Sequence, residues 1–136
     1  MSLLEQIEKN VTVKGATITY MKENIIHVNY DDDLLDLDTV RSIFYASREN
    51  SPWDIAPVYI TGGTFTNQDT EARKFSASDE VMKHCSAIAF LSKTMGEKLL
   101  ANFFIKFMKP SKPTRFFSTH DECINWLIQY ESTPKK

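Results

Sequence analysis

The residues that punctuate or staple a chain are scarce in this sequence. Two cysteines, four glycines and five prolines stand among 136 residues, too few for a disulfide scaffold, a collagen-like repeat or a low-complexity linker. Neither cysteine belongs to a CxxC pair and each lies in an apolar pattern, so Cys85 and Cys123 read as reduced core residues and not as zinc ligands. Residues 1–10 are acidic and lack the long apolar run of a signal peptide or membrane span, which makes the cytoplasm the expected location. An excess of one charge is missing too. Sixteen basic residues meet eighteen acidic ones, and nucleic acid, whose phosphates demand a basic footprint, is not an expected partner.

What is present is globular: 42% hydrophobic and 25% charged residues, in a length that fits one domain over residues 1–136. Its ordered core is expected over about 11–131, with the tail 132–136 frayed. Charge is unevenly placed. Residues 1–68 hold five Lys/Arg against ten Asp/Glu, and residues 69–136 hold eleven against eight. Lys93, Lys98, Lys106, Lys109, Lys112 and Arg115 are opposed locally only by Glu97.

Alternating β-branched and aromatic residues over 16–21 and 25–30, joined by the polar Lys22, Glu23 and Asn24, predict a hairpin, and another strand is expected near Val11–Val13. The acidic run over 31–38 precedes Val40, Ile43, Phe44 and Ser47 at helical spacing, where carboxylates cap a helix and complement its dipole. A calcium loop would need a closing Glu that is missing. Pro57–Thr61 reads as a strand ended by Gly62 and Gly63. Ala72, Phe75, Val81 and Met82 predict a helix interrupted around 76–78, and Ser86–Leu91 reads as a central parallel strand covered on both faces. Thr94 and Glu97 form a capping box for a helix to about Met108, stopped by Pro110. On that helix Leu100, Phe103, Phe104 and Phe107 are assigned to one face and Lys98, Asn102, Lys106 and Lys109 to the other. Thr114–Phe117 is a short strand. Thr119 and Glu122 cap a last helix that buries Cys123, Trp126, Leu127 and Tyr130. The predicted fold class is therefore α/β: a single mixed sheet, an antiparallel N-terminal hairpin followed by parallel β-α units, with about four helices.

The run Ala87-Ile-Ala-Phe-Leu-Ser, the helix end Leu100-Ala-Asn-Phe-Phe-Ile-Lys-Phe-Met-Lys-Pro110, the strand Pro113-Thr-Arg-Phe-Phe and the segment Glu122-Cys-Ile-Asn-Trp-Leu127 resemble small bacterial STAS/SpoIIAA-like domains. The resemblance covers about residues 16–130. It implies the anti-sigma-factor-antagonist fold, used for protein–protein switching, and a homodimer is an expected assembly of this chain. In the antagonist branch an Asp-Ser-Ser-Gly motif opens the helix after the middle strand, and its first Ser is phosphorylated. Here Asp69 and Thr70 fall at the Asp-Ser positions, while Glu71-Ala72 replaces Ser-Gly. The resemblance thus implies a switch at Thr70, set against plain helix capping by Asp69 or Thr70.

No acid, base and nucleophile set is legible, so no enzymatic activity and no cofactor are expected. His27, His84 and His120 share no metal-ligand spacing, and pairing His84 or His120 with Cys85 or Cys123 requires an adjacency that only the fold supplies. Gly62-Gly63 lacks the pattern of a phosphate loop and reads as a turn. Lys98, Lys106, Lys109 and Lys112 are the candidate docking surface for an acidic protein partner, with a solvated face or an anionic membrane surface as the other readings. The expected function is a non-enzymatic STAS-like interaction or regulatory domain. The alternative is a lipid or small-molecule carrier with an apolar hollow beneath the helix, lined by Leu100, Phe103, Phe104 and Phe107.

Overall fold

The computed structural model describes residues 9–31, 35–62 and 68–135, apart from the side chains of Leu100, Phe104, Phe107 and Met108. Three strands come first: β1 (Lys9–Val13), β2 (Ala16–Tyr20) and β3 (Ile26–Tyr30). Then follow α1 (Leu37–Asn50), β4 (Trp53–Gly62), α2 (Thr70–Ser76), α3 (Asp79–Met82) and β5 (Cys85–Leu91). The chain closes with α4 (Met95–Met108), β6 (Thr114–Phe117), α5 (His120–Leu127) and β7 (Thr133–Pro134). Strands β1 to β6 lie side by side in chain order. β1, β2 and β3 pair antiparallel, and β3 to β6 pair parallel, because each later strand is reached through a helical crossover. This is the expected mixed sheet, with a short fifth helix where the pattern is interrupted around 76–78.

Alternation sorts the parallel strands into two faces. One face carries Ile26, Val28, Val58, Ile60 and Ile88, against Ile43 of α1 and Val81 and Met82 of the α3 region. The other carries Tyr59, Ala87, Ala89 and Phe117, covered by Cys123 and Leu127 of α5. β4 begins earlier than its apolar run, at Trp53, and contains the buried Pro57. A missing amide is tolerated there because the register with β5 shifts between Ala56 and Val58. Gly62 is required where it stands: its φ is 70°, and a Cβ would lie 2.0 Å from the Tyr30 carbonyl oxygen across the β3–β4 pair.

The capping predictions hold. The Asp36 carboxylate accepts from the Thr39 amide at 2.8 Å and opens α1. Glu97 N donates to Thr94 Oγ1 at 3.0 Å, and Glu122 N to Thr119 Oγ1 at 3.2 Å. Asp32, Asp33 and Gly63 lie outside the described residues. The tail differs from expectation. Thr133 and Pro134 pair with β4, Ile55 N donates to Thr133 Oγ1 at 3.2 Å, and the Lys135 amide donates to the Pro52 carbonyl at 3.0 Å. Two backbone amides satisfied across the sheet end hold a segment whose composition alone reads as frayed.

Candidate functional site

The helices of one face do not close over the sheet. α1 is held down by Ile43 and by the Tyr20 hydroxyl, which donates to the Ser47 carbonyl at 2.6 Å. α2 joins α1 through an edge-to-face contact of Phe44 with Phe75, and Tyr45 donates to the Glu80 carboxylate beyond it. α4 rests mainly on β6 at the sheet edge. There Asn102 Oδ1 accepts from the Phe116 amide at 3.4 Å, and Lys98 Nζ reaches Ser118 Oγ at 3.4 Å.

Between α1 with α3 on one side and the C-terminal half of α4 on the other, the sheet lies open in a groove of about 390 Å³. Val28, Val58, Ile60, Ile88 and Phe90 form its floor. Phe90 stacks on Phe116 with ring centroids 4.4 Å apart. Val58, Ile60 and Phe90 are only partly buried although β4 and β5 are central strands. α4 contributes Ile105 and its capping residue Lys109 to the wall. Lys109 ends the helix in the left-handed region at φ 45°, a conformation non-glycine residues seldom take.

Polar side chains border the apolar floor, among them Arg48, Gln68, Arg73, Asp79, His84 and Lys109. Arg48 donates to the Trp53 carbonyl at 3.1 Å and pairs with Asp54 at 3.5 Å, and His84 Nδ1 lies 3.0 Å from the Asp54 carbonyl. Burial pushes the Tyr30 hydroxyl up to about 12, so it stays a neutral donor at the groove. Burial likewise pushes the Cys85 thiol up to about 12, which removes it as a thiolate nucleophile.

The opposite face gathers a second set of titratable groups. Tyr59 OH lies 3.1 Å from His120 Nδ1, and the His27 ring stacks on Tyr59 at 4.6 Å between centroids. Thr61 Oγ1 donates to Asn29 Oδ1 at 2.8 Å and so receives the His27 Nε2 proton at 2.7 Å. Burial and the neighbouring His120 hold His27 below its usual value. Cys123 is fully buried beside Tyr59, and burial pushes its thiol up to about 12. The fold therefore supplies the His120–Cys123 neighbourhood that spacing left open, but as a protonated thiol in the core. Among the described residues no group of three or more His, Cys, Asp or Glu is placed to hold a metal.

The expected site residues fare unequally. Asp69 caps α2, accepting from the Ala72 amide at 2.8 Å, and Thr70 is the exposed first residue of that helix. Lys106 and Lys109 are exposed, Lys98 and Lys112 are half-buried. Phe103 is not a pocket residue: it is 57% exposed on the outer side of α4, because α4 turns Ala101, at 1% exposure, toward the sheet. The side chains expected at Leu100, Phe104 and Phe107 lie outside the described part of the structure. The hollow beneath α4 is thus walled by Ile105 and floored by strand residues. Strand alternation was the available signal for Val58, Ile60, Ile88 and Phe90, but only a standing gap makes them a site.

The model for a domain of unknown function, DUF7793, matches residues 19–131. The chain belongs to the DUF7793 family. No curated protein matches it. Among solved structures it is similar to an uncharacterized protein of the DUF3478 family with a SpoIIAA-like fold from Shewanella loihica PV-4. The TM-score is 0.50 at 9% identity, over 89% of this chain and 92% of that one. At that identity the likeness concerns the fold alone, and this DUF7793 domain has the SpoIIAA-like arrangement of a mixed sheet with its crossover helices.

Proposed function

We propose that this DUF7793 domain is a non-enzymatic regulatory binding domain whose groove receives a small apolar molecule. The observation that carries this reading is the groove itself: about 390 Å³ of space over central strands, floored by aliphatic and aromatic side chains and bordered by polar ones such as Arg48, Arg73 and His84. Ligand sites occupy about 300–1,000 Å³ and present mostly apolar walls with a few polar anchors. Apolar floor residues left partly exposed are stabilised when a ligand covers them, by about 25 cal/mol for each Å² removed from water. Regulation is part of the same proposal. A ligand seated against Ile105 alters how α4 lies and with it the surface that α4 offers a partner.

Titration with the fluorescent apolar dye anilinonaphthalene sulfonate tests the reading. Saturable binding with one dye per chain is expected, with displacement by a medium-chain fatty alcohol. Native mass spectrometry should show the same single adduct. Absence of saturable dye or alcohol binding to the folded protein overturns it.

A further inference from the structure

The outward face of α4 is apolar. Met95, Leu99 and Phe103 follow one another at four-residue spacing, which places them in one row along the helix. They are 61%, 64% and 57% exposed. A single exposed apolar side chain is ordinary, but three large ones aligned on one element form a patch that marks a contact surface. Amines border it. Lys93, Lys106 and Lys109 are exposed and Lys98 is half-buried. The one carboxylate of the helix, Glu97, accepts from the Lys93 amide at 3.3 Å. Gly96, beside the row, has nothing within 4 Å of where a Cβ would sit.

Charge decides what fits this face. A second copy would set lysines against lysines, since both partners would bring the same basic border. A protein segment gains most from a concave seat, and the groove opens on the other side of α4. An anionic bilayer surface needs what the helix offers: leucine and phenylalanine at the depth of the first acyl carbons, and lysines whose stems let the amines reach the phosphates. We propose that the outer face of α4 is a membrane-docking surface, with Met95, Leu99 and Phe103 inserting into an anionic bilayer while Lys93, Lys98, Lys106 and Lys109 meet the lipid phosphates. No described helix is long and apolar enough to cross a membrane, so this contact lies at the interface. Its apolar row uses the side of α4 that faces away from the groove, while Lys109, at the end of the helix, also borders the groove.

Flotation of the full chain with vesicles of mixed phosphatidylglycerol and phosphatidylcholine tests the surface, with pure phosphatidylcholine as the reference. The mixed vesicles should carry the protein, and raised salt should weaken the binding. Leu99→Gln with Phe103→Gln should reduce partitioning by ~tenfold or more, since two large side chains no longer leave water. Lys106→Gln with Lys109→Gln should reduce it by ~tenfold on the anionic vesicles only. All four positions are exposed, so an unchanged thermal melt is expected and serves as the folding control. Failure of the parent protein to float with anionic vesicles overturns the proposal. So does equal flotation of the Leu99→Gln, Phe103→Gln variant, or saturable binding of an acidic amphipathic peptide at this face while vesicles are ignored.

Discussion

Replacing Val58 with phenylalanine distinguishes an open groove from a closed core. Val58 sits on β4 in register with Ile26 of β3 and Ile88 of β5, and its side chain stands on the groove floor. In a close-packed interior an enlargement of this kind costs about 1–3 kcal/mol, because neighbours must leave their rotamers. Here the added ring enters a space of about 390 Å³ and covers apolar surface of Ile60 and Phe90, which are only partly buried. Gain and residual strain then offset one another, and stability should stay within ~1 kcal/mol of the parent. Both residues suit a strand, so backbone preference is neutral. Urea unfolding followed by the fluorescence of Trp53 and Trp126 measures the difference, with the slope showing whether compactness is preserved. The same variant should lose dye and alcohol binding. A loss above ~2 kcal/mol at unchanged slope would mean that no space stands open above Val58. Retained stability together with undiminished dye binding would sink the groove as the site.

Three further outcomes follow from local geometry. Gly62→Ala should lose at least ~2 kcal/mol in urea unfolding, because its Cβ would collide with the Tyr30 carbonyl at 2.0 Å in a left-handed backbone; a neutral result would refute the close approach of β3 and β4 there. Asp69→Ala should cost about 1 kcal/mol through loss of the α2 cap while Thr70→Val stays near neutral; the reverse order would give Thr70 the structural role. His27 is held below 6.5 in the fold, first by burial and then by His120, so the unfolded chain binds the extra proton. Its contribution is present above about pH 6.5 and is lost as pH falls from there through the depressed folded value. Thermal melts between neutral pH and about pH 5 should show this decline, and His27→Gln should flatten it; an unchanged slope in the variant would assign the decline elsewhere.

Much of the architecture was legible because its signals are local. A Thr or Asp three residues before an amide it can satisfy names a helix start wherever the chain goes, as at Asp36, Thr94 and Thr119. The uninterrupted apolar run of β5 announced a strand buried on both faces, and residues 85–89 are all buried. Proline within β4 was harder. Pro57 sits inside a strand only because the partner register shifts beside it, and register belongs to two strands at once. The tail is similar: Thr133 and Pro134 carry no strand signal of their own, and the segment is held by the Ile55 amide of β4 and by the Pro52 carbonyl that precedes it.

The candidate site divides along the same line. The order of residues along the chain dictates the elements, their succession and the alternation that gives each strand an apolar side, since these depend on backbone preference and on periods of two and 3.6 residues. It did not determine which side of α4 faces in. That helix is apolar around most of its circumference, so periodicity alone leaves its rotation open. Tertiary structure chose it: small Ala101 meets the sheet, Asn102 bonds the Phe116 amide, and Met95, Leu99 and Phe103 are left outside. The same choice sets α4 over β6 and leaves Val58 and Ile60 of β4 and Phe90 of β5 partly exposed beneath the gap. Groove, outer face and the His27–Tyr59–His120 contact all depend on distances between elements remote in the chain, and only packing fixes those distances.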